Sequence, residues 1–378
     1  MTVYDVAVVG TGPAGATAAR ELALQGISVA LIEKDRLPRH KVCGGGITWR
    51  ARTLLDFEIE PVVRSECHTA LMSLAKSGAT FKSTHERPIV SMVMRADFDR
   101  LLVEKATCAG AELIEGCRVD GAEFHDDEVL LQTSLGPVRA GFVIAADGAT
   151  STMARLAGWE RLEQLIPALE LELPVATSEY KRFEDCARFD FDMPANGYGW
   201  VFPKGDHLGV GIGGFGPGER KTDLKKELRS YLDKLKLSLP QDQQMHGYVI
   251  PLMPRKSGFV RRRVFLVGDA AGLADPMSAE GIWAAILSGR MAAEALVKGG
   301  LDSAMSSEHY ERSLAGTLLP ELEAGRKLAR LFYSSQTLRK WLLKHYGQRM
   351  TEKVADIFMG SASYSDYADA FMRKLKLK

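Results

Sequence analysis

The chain has 378 residues, 46% of them hydrophobic and 26% charged, with 36 glycines. That composition excludes a disordered chain and a small stapled scaffold. With 49 basic against 48 acidic residues, the formal charge of +1 leaves no global electrostatic case for nucleic acid.

The run 3–9 predicts a buried strand rather than a signal peptide, since Asp5 interrupts it and no basic segment precedes it. Residues 13–25 predict a helix ending near Gly26, and 28–32 a second strand closed by Glu33. A strand, turn, helix and strand within about thirty residues start a parallel sheet. A polar, glycine-rich loop over 34–49 then leads to a predicted helix over 49–56, and 60–94 supplies two or three strands. Phe98, Leu101, Leu102 and Lys105 predict a helix over 97–108 with Asp97 as its cap. Short strands follow near 112–119, 127–133 and 137–146.

From 159 to 259 the pattern becomes strand-like pieces at 186–192, 199–202 and 207–213, with a charged helix near 219–236. The run 264–268 returns to buried-strand character, a helix over 279–295 follows, and the last eighty residues are mostly helical, with Lys374 to Lys378 alternating Lys and Leu. No apolar run approaches the roughly 18–20 residues that span a bilayer. Five cysteines without a C-x-x-C pair suit a reducing, cytoplasmic setting. His68 beside Cys67 supplies too few ligands for a metal, so no metal site is expected.

Gly10-x-Gly12-x-x-Gly15 opens a helix directly after a strand, and Glu33 ends the next strand. Gly10 permits the tight turn, Gly12 lets the backbone approach a pyrophosphate, and Gly15 allows close helix–strand packing. The helix-start N–H groups face phosphate oxygens, and Glu33 can accept from ribose hydroxyls. Gly209, Gly211 and Gly214 repeat the spacing, but a Gly/Pro-rich loop follows, so these glycines read as strand positions that admit a close neighbour. The pattern alone leaves FAD and NAD both open. An enzyme with a bound organic cofactor is the leading class.

Further segments narrow the choice: Arg95-x-x-Phe98-Asp99-x-x-Leu102, the strand ending at Asp147-Gly148, and the run from Gly268-Asp269 through Asp275-Pro276 to Gly281. Two more pieces are Lys41-Val42-Cys43-Gly44-Gly45 and Tyr198-Gly199-Trp200-Val201-Phe202-Pro203-Lys204. With these, the chain resembles the geranylgeranyl reductase family, within the FAD enzymes shaped like p-hydroxybenzoate hydroxylase, over about residues 3–300. The resemblance implies an α/β protein with a Rossmann-like FAD-binding domain, a second sheet-based substrate domain and a helical C-terminal region. The expected boundaries are 1–158 with 260–300, then 159–259 joined by parts of 60–94, then 301–378.

It also implies a cofactor set of Gly10, Gly12, Pro13, Ala14, Gly15, Glu33, Lys34, Cys43, Gly44, Arg95, Asp147, Gly148, Gly268, Asp269, Pro276, Gly281 and Ile282. Asp269 would accept from the ribityl side of FAD, and the helix beginning near Ala279 would aim its N-terminus at the flavin. The family commonly has Gly-Glu-Gly where this chain has Ala279-Glu280-Gly281. Cys43, Tyr198 and Trp200 are the expected catalytic group.

Tyr198, Trp200 and Phe202, at period two, share one strand face and suit an apolar guest, or equally a domain core. Lys204 would meet a phosphate or carboxylate headgroup or remain solvated. Cys43 would position an alkene or deliver a proton, with His40 and Lys41 as basic neighbours; as a small buried hydrophobe it would do neither.

The implied reaction saturates an isoprenoid double bond with hydride from reduced flavin plus a proton. NAD(P)H, or another reduced carrier such as a ferredoxin, would be the donor, and a prenyl lipid or prenyl pyrophosphate the substrate. The mixed cationic and apolar segments 327–333 and 338–344 would lie on the inner face of a membrane or pack on their own domain. Two alternatives stay open: an FAD monooxygenase or halogenase of an aromatic substrate, and a flavin-containing lipid-binding or electron-transfer protein. Oligomeric state is undetermined from sequence.

Overall fold

The computed structural model describes residues 3–75, 78–215 and 222–367, so the tail Lys374 to Lys378 lies outside the described residues. By internal contacts the chain forms two compact units. One comprises Met1–His40, Ala96–Leu165 and Pro251–Leu322; the other comprises Lys41–Arg95, Ile166–Ile250 and Glu323–Lys378. These boundaries differ from the expected ones because strands far apart in sequence pair with each other.

In the first unit, Val3–Val9 lies at the middle of an eight-stranded sheet. Its parallel core runs Val264–Leu266, Val138–Ala145, Val3–Val9, Val29–Glu33 and Glu112–Glu115. The apolar runs of Val3–Val9 and Val29–Glu33 are what a sheet covered on both faces requires. Their chain-order neighbours leave on opposite sides, so Val3–Val9 marks the switch point beside which doubly wound sheets bind ligands. The helix Pro13–Leu24 packs against Ile282–Lys298 so closely that a side chain on Gly289 would lie 2.2 Å from the Ala14 carbonyl oxygen.

In the second unit the seven-stranded sheet has the order His246–Pro251, Leu165–Pro174, His207–Gly214, Gly197–Pro203, Cys186–Phe191, Thr69–Leu74 and Thr80–Thr84. Thr69–Leu74 pairs in parallel with Cys186–Phe191, which draws the 41–95 segment into this unit. One sheet face carries Leu169, Leu171, Leu173, Val201, Val210 and Ile212 and is covered by Leu228, Tyr231, Leu232 and Leu235 of the helix Leu224–Leu235. Asp223 caps that helix, accepting from the Lys226 N–H at 3.1 Å. Gly46–Thr48, Val90–Val93 and Val63–Cys67 form a smaller sheet.

Several expected elements shift. The helix expected over 49–56 is only Trp49–Arg52, because the following turns close as i→i+3 bonds from Leu54 to Ala51 and from Leu55 to Arg52. The helix Arg95–Cys108 begins two residues early, so Asp97 sits in its first turn rather than capping it. The strand expected near 112–119 divides into Glu112–Glu115 and Val119–Phe124, with Gly116 at φ 67° between them. Leu165–Pro174, a ten-residue strand, was not expected at all. The helix expected from 279 starts at Ile282, because Ala279 takes a left-handed φ of 58°.

Candidate functional site

The glycine turn is required by sterics the chain itself imposes. Gly10 has φ 105°, and a side chain there would meet the Ala146 carbonyl oxygen at 2.4 Å. A side chain on Gly15 would lie 1.9 Å from the Gly10 carbonyl oxygen. Gly12 is different: its φ is −69°, and an added Cβ would meet nothing within 4 Å. Among the described residues nothing fills the space that Gly12 faces, at the start of a helix with no side-chain cap, and a pyrophosphate fits that cradle.

Glu33 is 4% exposed. Its carboxylate accepts from the Thr11 N–H at 3.2 Å, the Asp35 N–H at 3.2 Å and Arg39 Nε at 3.0 Å, and from the Thr11 hydroxyl. Burial works to raise this carboxyl, but Arg39, Thr11 and the Asp35 amide hold it below its ordinary value. Arg39 also reaches the buried Asp99 at 3.2 Å. The acid that would meet a ribose is therefore ionised and fixed in place. Asp99 stands in the Arg95 segment already picked out from the sequence, whereas Thr11 and Arg39 were not singled out; Thr11 inside the glycine pattern was the available signal.

Asp147 accepts from the Met153 N–H at 3.0 Å and from the Ser151 hydroxyl, so it organises the turn into the helix Thr152–Leu156; its burial raises its carboxyl. Gly148 follows at φ 82°. Gly268 opens the short helix Gly268–Ala271, and its N–H donates to Ser288 Oγ at 2.9 Å. Asp269 Oδ1 lies 3.5 Å from where a Gly281 side chain would stand. Asp275 pins the loop beyond, accepting from the Met277 and Ser278 N–H groups at 2.8 and 3.0 Å. The Ala279 N–H donates to the Asp275 carbonyl at 2.8 Å, which holds Ala279 in its left-handed conformation. That conformation favours glycine by about 1 kcal/mol. Ala279→Gly should therefore raise stability by up to about 0.6 kcal/mol after the entropy of the freer chain, about 0.4–1 kcal/mol, is subtracted. A denaturant midpoint that moves up with an unchanged slope checks it; a midpoint that falls speaks against the strained turn.

Gly10, Gly12, Pro13, Ala14, Gly15, Glu33, Lys34, Asp147, Gly148, Gly268, Asp269, Pro276, Gly281 and Ile282 all belong to the first unit. Cys43, Gly44, Arg95, Tyr198, Trp200, Phe202 and Lys204 belong to the second.

In the second unit, strand register builds the site. Glu170 pairs with Gly211, which pairs with Trp200; Glu172 pairs with Gly209, which pairs with Phe202. Directly opposed residues point to the same side of a sheet. Two carboxylates and a row of rings therefore flank a glycine stripe, on the face opposite the leucine core. The stripe is obligatory: a side chain on Gly211 would lie 2.1 Å from the Trp200 ring. Gly211 thus admits a close neighbour, Trp200, and Gly209 admits Lys204 and Glu172, as the strand reading of these glycines expected. Tyr198 and Trp200 are buried, with ring centroids 6.1 Å apart, and Phe189, Phe191 and Phe215 extend the ring cluster. The buried Trp200 indole N–H has no acceptor among the described residues.

The Cys43–Gly45 loop lies over this face. A side chain on Gly44 would come 2.8 Å from Phe202 and 3.3 Å from Trp200 Nε1, and Gly45 has φ 72° against the Val93 carbonyl oxygen. The Cys43 N–H donates to Glu170 Oε1, and the half-buried thiol accepts weakly from the Gly45 N–H at 3.4 Å. Lys204 is only 1% exposed, and its ammonium pairs with Glu172. The carboxylate it meets is therefore internal, and it is not solvated. Glu170, Glu172 and His207 were missed from sequence.

An FAD binding domain model matches residues 3–189. The chloroplastic geranylgeranyl diphosphate reductase of Arabidopsis thaliana is 30% identical over 373 residues, covering 92% of this chain and 79% of the relative. The crystal structure of a geranylgeranyl bacteriochlorophyll reductase-like protein from Thermoplasma acidophilum superposes with a TM-score of 0.79 at 26% identity, over 95% of this chain and 92% of that one. A flavin-dependent brominase shares the fold at a TM-score of 0.76 and 18% identity, with both chains fully covered.

Fold and cradle define an FAD-dependent oxidoreductase of the p-hydroxybenzoate hydroxylase type. Within that class, the chain belongs to the geranylgeranyl reductase family. Among the described residues, no cluster suits a metal ion, and no helix is long and apolar enough to cross a membrane.

Proposed function

We propose that this protein saturates carbon–carbon double bonds of an isoprenoid chain, taking hydride from reduced FAD and a proton from the protein. The observation that carries the reading is the second unit's glycine-striped face. There, a wall of Tyr198, Trp200 and Phe202 faces across to a buried carboxyl held against the Cys43 loop. Rings offer an apolar chain contact area at low entropic cost. An unactivated alkene accepts hydride poorly unless a proton is delivered to its other carbon, so an acid next to an apolar wall is the pairing this chemistry needs.

Gly12, Glu33 and Asp269 would hold FAD, which would supply the two-electron chemistry. The chain's own residues orient the substrate, exclude water and manage the proton. Tyr198 and Trp200 act as substrate wall, and the Cys43 loop fixes the reacting bond. NAD(P)H is the proposed electron donor. The helix Gln336–Met359 exposes Trp341 and Tyr346 beside Lys340 and Lys344, which suits contact with a lipid surface while substrate is drawn out.

The test is anaerobic incubation with dithionite and geranylgeranyl diphosphate or a geranylgeranyl lipid, followed by mass spectrometry. Product heavier by two hydrogens per turnover is expected. An unchanged isoprenoid, together with oxygenated or halogenated product on aromatic substrates in air, would overturn the reading.

A further inference from the structure

Resting on that reading, we infer that Glu170 is the proton donor for saturation, and that Glu172, His207 and Asp206 form the path by which it is recharged from solvent. Glu170 is 6% exposed and stands mid-strand on the same face as Trp200. A buried carboxylate ordinarily keeps its charge by pairing directly with a cation. Here the amide of Cys43 donates to Glu170, while the nearby ammonium of Lys204 bonds to Glu172 instead.

The groups acting on Glu170 are Lys204 after the central strand, Glu172 on its own strand and Arg95 at the head of the helix Arg95–Cys108. Burial raises it most; Lys204 opposes that, Glu172 adds to it, the Cys43 amide and Arg95 oppose it, and the carboxyl ends at about 7. It can therefore hold a proton at neutral pH and release it readily, as a general acid must.

The route outward is equally concrete. Glu172 follows Glu170 on the same face, and burial raises its carboxyl less than His207 and Lys204 lower it. His207 Nε2 lies 3.2 Å from Glu172 Oε2, and His207 Nδ1 lies 2.7 Å from Asp206 Oδ1. Side-chain exposure is 28% at Glu172, 17% at His207 and 93% at Asp206, so the line of titratable groups ends in solvent. Glycine at 209 keeps the middle of this line open, since a side chain there would meet Glu172 Oε2 and Lys204 Nζ at 3.2 Å. Both carboxylates pair to glycines, Glu170 to Gly211 and Glu172 to Gly209.

The step balances. Hydride, carrying two electrons from reduced FAD, goes to one alkene carbon, and the Glu170 proton goes to the other. The π bond is replaced by two C–H bonds, and Glu170 is left as carboxylate. A proton drawn from water through Asp206, His207 and Glu172 restores it, and dithionite resupplies the electrons in the assay.

The test uses the FAD-loaded protein, reduced anaerobically and mixed with geranylgeranyl diphosphate. In the wild type the rate should be flat below pH about 7 and fall tenfold per unit above it, since the acid must be protonated. Glu170→Gln should lower the rate by about 10²- to 10⁴-fold and remove that pH dependence with FAD occupancy unchanged. Glu170→Asp should restore part of both. His207→Gln should spare the first turnover and slow later ones.

Independently of activity, infrared spectra of the flavin-free protein should show a carboxyl C=O band lost near pH 7 in the wild type and absent in Glu170→Gln. An active wild type whose Glu170→Gln variant keeps rate and pH profile overturns Glu170 as donor and leaves the reductase reading standing. A wild type that saturates no isoprenoid overturns both. An infrared band unchanged by Glu170→Gln removes the protonated carboxyl itself.

Discussion

Gly12→Ala is expected to leave the folded, flavin-free protein as stable as the wild type and to weaken FAD binding at least tenfold, about 1.4 kcal/mol. The reason is the contrast within one turn. A methyl group at position 12 meets none of the described residues within 4 Å, and its φ of −69° suits any residue, so folding has no cause to suffer. The same methyl occupies the space a pyrophosphate needs.

Gly15→Ala should behave differently. Its methyl would lie 1.9 Å from the Gly10 carbonyl and 3.0 Å from the Ala146 side chain, so the helix Pro13–Leu24 must lift off the sheet. Both flavin and stability are lost in that case. The flavin-to-protein absorbance ratio, together with thermal melts of flavin-free samples, separates the two outcomes. Full FAD affinity in Gly12→Ala would take the cofactor away from this turn.

The second large effect lies in the other unit. Arg339 and Asp192 are both fully buried; Arg339 Nε donates to Asp192 at 2.9 Å, Nη1 to the Phe332 carbonyl at 3.1 Å and Nη2 to the Ala195 carbonyl at 2.6 Å. The guanidinium also stands over the Phe332 ring, 5.8 Å from its centroid. Arg339→Leu strands a buried carboxylate, and such losses amount to roughly 3–5 kcal/mol.

Denaturant unfolding of Arg339→Leu should show that loss. The double change Asp192→Asn with Arg339→Leu should recover a good part of it, because asparagine tolerates Asp192's φ of 66° and carries no charge. A single variant as stable as the wild type would mean that the pair does not hold the helix Gln336–Met359 in place. Because Phe332 and Tyr333 pack on Phe191 and Phe215 of the ring cluster, weakening this tie should also loosen the aromatic wall.

The sequence by itself determined the nucleotide half, since turn, helix start and acid are close in the chain and each residue's task is set by local backbone geometry. Gly10, Gly15 and Glu33 needed no distant partner to be read. The period-two rings of Tyr198, Trp200 and Phe202 were legible for the same reason: alternation puts them on one face whatever lies beyond.

Tertiary structure alone decided the rest. The strand Leu165–Pro174 was not read from the sequence, and within it pairing to Gly211 and the Cys43 loop bury Glu170. Arg339, in the mixed cationic and apolar segment 338–344, is sealed by an aspartate 147 positions away. The physical reason is the same in both cases. Burial of a charge depends on what the remainder of the chain brings over it, and no local pattern carries that information.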